Sequence, residues 1–238
     1  MKKNHNLPIL LIVIVIVAVM AQFNRHSGEK PELAAMRQDM LASLQLLWEQ
    51  PGSQVELVPA GERINVQATV AMPPNLRPRQ QRWNYPFLRF VALRHPAVTL
   101  QTLEVIDGST HNSISEVALN GLRADRVAPR FNNDDAEGMS QMTARQIGSS
   151  LDQLIGSGQG LVLVDTELGK SSRESMRYGA PEQRLLAKRA YPSPQDRIVR
   201  VDVCIVLNRE IPPATWETFK SRNLSPFHKL RVVTLPKL

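Results

Sequence analysis

Two stretches of the chain mix cations with aromatic rings: Arg77, Arg79, Arg82, Trp83 and Tyr85 in the first, and Arg184, Lys188, Arg189 and Tyr191 in the second. Guanidinium groups grip phosphates and carboxylates in fork geometry, and aromatic faces add stacking. The chemistry expected of them is recognition of an anionic surface, either lipid headgroups or an acidic patch on a neighbouring subunit. The plain alternative is two solvated loops. Arg200 and Asp202, read as the outward residues of a strand, join them as partner-binding candidates.

Other constellations carry less. The glycines Gly156, Gly158 and Gly160 precede a strand and follow a helix, the wrong order for a phosphate loop, so a helix-ending turn is expected. Asn133, Asp134, Asp135 and Glu137 lack the alternation of a calcium loop and read as a solvated linker. His5, His26, His95, His111 and His228 share no spacing, and Cys204 sits mid-strand as a small packed side chain. A single cysteine allows no intrachain disulfide. Asp165 and Glu167 would suit a hydrolase only if folding brought His95 or His228 beside them. No catalytic residue, metal, cofactor or small-molecule substrate is expected.

The elements that must position these residues begin with an apolar run. Residues 7–21 hold no charge and no polar side chain, with Leu7, Ile9, Leu11, Val13, Val15, Val17 and Val19 along it. Residues 7–23 are expected to cross a membrane, with residues 1–6 cytoplasmic because of Lys2 and Lys3. A cleaved signal peptide is the alternative, since small residues at Val19 and Ala21 suit a peptidase. In a bacterial cell either reading exports the remainder to the periplasm. The formal charge of +7 is spread along the chain; an exported protein rarely meets nucleic acid, so anionic lipid or an acidic protein is the better partner.

After a tether at 24–31, two small units are expected, 32–108 and 139–238, joined by a connection at 109–138. The first opens with an amphipathic helix bearing Leu33, Met36, Met40, Leu44, Leu47 and Trp48, stopped by Pro51 and Gly52. Strands follow at 55–58 and 64–72, the second alternating cleanly through Ile64, Val66, Ala68 and Val70. The proline- and arginine-rich stretch 73–86 reads as a loop, and 87–93 and 100–106 as two more strands. The second unit reads as a helix with Ala144, Ile147, Leu151 and Leu154 on one face, a strand from Gly160, a long polar connection, a strand at 197–208, a short helix from Pro212 and a last strand at 230–235. In the 197–208 strand Val199, Val201, Val203, Ile205 and Leu207 are expected to face a core, while Arg200, Asp202 and Cys204 are expected mainly on the other side. The fold class is α+β: one membrane helix followed by two small α/β sandwiches, alike enough in element order to suggest a distant duplication.

The second unit resembles the ring proteins of the flagellar M-ring and type III secretion family (FliF/YscJ). The likeness rests on Gln146-Ile-Gly-Ser-Ser-Leu-Asp-Gln-Leu-Ile-Gly-Ser-Gly158, Leu161-Val-Leu-Val-Asp-Thr-Glu-Leu168, Arg173-Glu-Ser-Met-Arg-Tyr-Gly-Ala-Pro-Glu182 and the closing Arg231-Val-Val-Thr-Leu-Pro236. More faintly, 64–73 and 103–108 look like strands of a second ring-building motif. There are departures: no room for a full helix between Leu93 and Leu100, no first motif, and no second apolar span near the C-terminus. The resemblance implies many copies side by side in the inner membrane, supporting a secretion or motility apparatus. The expected function is a structural, non-catalytic, membrane-anchored subunit that homo-oligomerises and has other envelope-assembly proteins as further partners. A monomeric periplasmic accessory module is the alternative, and an anchored hydrolase the remote one.

Overall fold

The computed structural model describes residues 30–118, 136–169 and 198–238, and the architecture is α+β with two small sheets. The first unit opens with helix α1 (Pro31–Trp48), which starts on a proline whose missing N–H costs nothing there and ends at Glu49 in the left-handed region. Met36, Met40, Leu44 and Leu47 recur at helical spacing and are fully buried. Strands β1 (Gln54–Ala60) and β2 (Arg63–Val70) form a hairpin turned at Gly61, whose φ of 68° suits a residue without Cβ.

The next segment differs from the sequence expectation. Where a loop and a strand were expected, the chain forms a short helix α2 (Pro78–Gln81) and a helix α3 (Asn84–Ala92). Phe87, Leu88, Phe90 and Val91 are all buried, a stripe at three- and four-residue steps that aromatic and β-branched composition disguised as a strand. Pro86 does not break the helix because it stands in the first turn, where its missing N–H had no intrahelical partner. No helix lies between Leu93 and Leu100, as expected; the helix that leads from β2 to the next strand is instead the segment 84–92, which had been read as loop and strand. Strand β3 (Leu100–Asp107) pairs parallel to β2, and β4 (Ser113–Ala118), within the stretch read as a connection, pairs antiparallel to β3. The sheet order is β1-β2-β3-β4.

The second unit is α4 (Ala136–Ile155), β5 (Gly160–Leu168), β6 (Ile198–Leu207), α5 (Pro213–Asn223) and β7 (His228–Thr234), in the sheet order β5-β6-β7. As expected, the glycines after α4 make its terminating turn, with Gly156 at φ 97° and Gly158 at φ 74°. In both units a helix precedes an antiparallel strand pair, and a helical crossover then leads to a strand parallel to the second.

The two units are stacked rather than tethered apart. Val201, Val203, Ile205 and Leu207 of β6 pack with Ile147, Leu151 and Ile155 of α4 and Phe219 of α5. On the opposite face, Cys204 and Val206 join Leu163, Val233 and Leu235 in one cluster with Met36, Met40, Leu44, Phe87 and Val91 of the first unit. That face of β6 had been expected mainly outward; instead it is the bed on which α1 and α3 lie. The order of layers is first sheet, α1 with α3, second sheet, α4 with α5. The expected second face of β6 is thus a second core.

Candidate functional site

At one end of this internal interface the bed becomes polar. The β5–β6 register sets Asp165 opposite Asp202 and Glu167 opposite Arg200. Two carboxylates facing each other across neighbouring strands repel, and here both are buried. The compensating charge comes from the first unit. Arg77 precedes Pro78 and is held extended at φ −71° and ψ 146°, as a residue before proline prefers, so that it leads into α2 with its side chain over the second sheet. Its guanidinium lies 2.9 Å from Oδ2 of Asp165 and 3.1 Å from Oε2 of Glu167, and it also donates to Oδ2 of Asp202. Gln80 accepts the Arg77 backbone N–H at 3.3 Å and donates to Asp202 at 3.4 Å.

Three further cations complete the cluster. Arg79 Nε stands 3.5 Å from Oδ1 of Asp165, and Arg200 grips Oδ1 of Asp202 through Nε and Nη2, both at 2.9 Å. Arg82 reaches Glu137 at the start of α4 at 2.9 Å, in an exposed pair that contributes little. Asp165 is 1% exposed, and neither of its oxygens is in an aligned hydrogen bond, so its burial is offset by charge alone. A cleft of about 230 Å³ beside this cluster is lined by Arg79, Arg82, Trp83, Glu137 and Ser140.

Two more ties join the units. Asp39, on the buried face of α1, takes Arg94 Nη1 and His95 Nε2 at 2.9 Å each, and Arg94 also donates to the Pro236 carbonyl in the tail after β7. Arg231 of β7 donates to the Leu46 carbonyl at 3.0 Å and to Glu49 at 2.9 Å.

The residues expected to bind partners are therefore placed as follows. Arg77, Arg79 and Asp202 meet opposite charges, but within their own chain, and Asp202 is buried rather than outward. Arg200 stays partly open beside it. Trp83 is buried and stacks on Trp48 with ring centroids 6.3 Å apart, and Tyr85 is partly buried against the core. Arg184, Lys188, Arg189 and Tyr191, the apolar run with Leu7, Ile9, Leu11, Val13, Val15, Val17 and Val19, and Asn133 to Asp135 of the acidic linker lie outside the described residues. Among those described, no helix is long and apolar enough to cross a membrane.

The histidines named for a hydrolase have other employment. His95 bonds Asp39, and His228 Nδ1 accepts the Ser225 N–H at 3.2 Å, with burial holding its pKa below the usual value. Burial pushes the Cys204 thiol up to about 12, against the pull of the Arg231 charge. Sequence reasoning missed Asp39, Glu49, Arg94 and Arg231 altogether. Asp39 stands next to Met40 in a helix of mixed polarity, and only the position of Arg94 on another element reveals its use. Comparison with known protein families finds no match to this chain, and no curated protein sequence matches it.

Proposed function

We propose that the protein is a structural, non-catalytic subunit of a bacterial envelope assembly of the secretion or flagellar-ring kind, held in the inner membrane by residues 7–23 and acting through homo-oligomerisation. The observation that carries the reading is the repeated unit itself. Two copies of the order helix, strand, strand, helix, strand stack so that the bare sheet face of one covers the helix layer of the other. Building by laying such units on one another is what a ring or scaffold subunit needs, and the charged side chains most suited to chemistry are spent on that contact.

A second reading, a monomeric accessory module, draws on one observation: Arg77, Arg79 and Asp202, the residues expected to reach neighbours, are satisfied internally. Mass measurement of the full chain extracted in mild detergent separates the two. Assemblies of many copies support the first reading; a strict monomer across the accessible concentration range refutes it.

A further inference from the structure

The second sheet has two edges, and each opens into a groove. In the order β5-β6-β7 the outer strands have a neighbour on one side only, among the described residues. Consecutive residues Leu161 to Val164 of β5 line the cleft of about 230 Å³, whose rim on the first unit includes Arg82 and Pro86. Consecutive residues Arg231 to Val233 of β7 line a wider groove of about 720 Å³, with Leu46 and Glu49 of α1 on its rim. Neighbouring residues of a strand point to opposite faces, so a groove lined by all of them runs along the strand's edge.

The hydrogen bonds show what those edges offer. Asn208 N–H donates to the Gln159 carbonyl, so the odd-numbered residues of β5 bond to β6 and the even-numbered ones turn outward. Thr166 N–H accordingly goes to Ser140 Oγ on α4 at 2.8 Å. Leu235 N–H donates to the Leu207 carbonyl, so in β7 too the even-numbered residues turn outward. The outward residues of the two edges are also level with each other. Val162, Ile205 and Val232 form one row across the sheet, and Val164, Val203 and Leu230 another. A second copy set alongside without any shift along the strands therefore brings Val232 opposite Val162 and Leu230 opposite Val164, antiparallel, with N–H and C=O of both edges facing. The row of Asp165, Asp202 and Lys229 continues likewise, bringing the exposed Lys229 beside Asp165, neither of whose oxygens is in an aligned hydrogen bond. The rims match as well: Glu49, 80% exposed, comes towards Arg82, 65% exposed, and the exposed Leu46 towards Pro86.

We propose that copies of this chain join through these edges, β7 of one adding to β5 of the next, so that the three-stranded sheet continues from molecule to molecule. The proposal deepens the homo-oligomer reading and rests on it. A second copy is the occupant because both edges belong to this chain and match in row, in hydrogen-bond phase and in charge. Each joint leaves one β5 edge and one β7 edge free, so the contact repeats until a ring closes. Ser140, by taking the Thr166 N–H, ends the joint at Val164.

The test cross-links the full chain in mild detergent. Chains carrying Glu49→Cys and chains carrying Arg82→Cys are co-expressed and oxidised; Cys204 is buried and stays out of the reaction. The pair gives covalent dimers, either chain alone gives none, and the double variant gives a ladder of many copies. Val232→Pro removes an outward N–H without touching the bonds to β6, so it leaves circular dichroism unchanged and lowers the mass to that of one copy. An oligomeric chain whose co-expressed pair does not cross-link overturns this joint and leaves the homo-oligomer reading standing, as does a folded Val232→Pro protein of unchanged mass. Cross-linking of either variant to itself overturns the repeating arrangement in favour of a two-fold one, and cross-linking of Arg82→Cys to a different protein overturns the second copy as occupant. A strict monomer of the unsubstituted chain overturns both the joint and the reading beneath it.

Discussion

Replacing Arg77 with alanine isolates the energetics of the polar bed. The substitution leaves Asp165 and Asp202, whose side chains are 1% and 8% exposed, facing each other across β5 and β6 with their shared cation gone. Removing one partner of a buried ion pair costs about 3–5 kcal/mol. Three features reduce that figure here. Arg77 is 27% exposed, Asp202 keeps Arg200 at 2.9 Å, and Asp165 keeps Arg79 at 3.5 Å. The lost contact with the half-exposed Glu167 adds at most about 1 kcal/mol. We therefore expect Arg77→Ala to destabilise the fold by about 2–4 kcal/mol, a shift of roughly 1–2 M in the urea midpoint for a slope near 2 kcal/mol/M. The assay is equilibrium unfolding of the full chain in mild detergent, followed by tryptophan fluorescence and circular dichroism. The decisive comparison is the triple variant Arg77→Met with Asp165→Asn and Asp202→Asn, which removes both the cation and the charges it balances. It should recover at least half of the loss, because no unpaired charge remains buried. Equal destabilisation by the single and triple variants, or a single-variant effect below about 0.5 kcal/mol, would refute the argument that a buried carboxylate pair depends on Arg77.

Three further outcomes follow from the same layers. Val206→Ala should cost about as much as Val203→Ala, roughly 2 kcal/mol each, because both faces of β6 are buried, while Val199→Ala, at a 66% exposed position, should change urea stability by under about 0.5 kcal/mol. His228 has a folded-state pKa below its ordinary 6.5, so the unfolded chain takes up the proton first; stability should hold above pH 6.5 and fall as pH drops from there through the lowered value, and His228→Gln should flatten that slope in pH-dependent unfolding. Cys204 should resist a thiol-reactive dye at pH 8 in the folded protein and react at the rate of a free thiol once urea unfolds it.

Much of this architecture was legible because local periodicity and burial agree. The stripe from Met36 to Leu47 belongs to a helix, the alternation from Ile64 to Val70 to a strand, and Gly156 with Gly158 to a helix end, each for reasons contained in a few neighbouring residues. Two misreadings share a different cause. Phe87 to Ala92 hold residues that favour strands, yet they form a helix because α1 and both sheets bury its flanks, a preference that only tertiary packing expresses. In β6, Asp202 and Cys204 alternate with valines as outward residues do, and period two says only that they share a face, not what covers it. The covering elements, α1 and α3, come more than a hundred residues earlier in the chain. For the same reason Arg77 looked available to neighbours: the sequence displays its charge but not Asp165 and Asp202 waiting for it.

The burial of β6 between two helix layers also sets an order of events in time. Residues of α1 and α3 are made early, but the segments that cover them, with Cys204, Val206, Val233 and Leu235, follow more than a hundred residues later. Until then the first unit carries an uncovered apolar layer, and its contacts at Arg94 and Leu46 wait for Pro236 and Arg231 across sequence separations of 142 and 185 residues. Folding that closes such long loops is slow, and the exposed interval is when a chain of this kind aggregates.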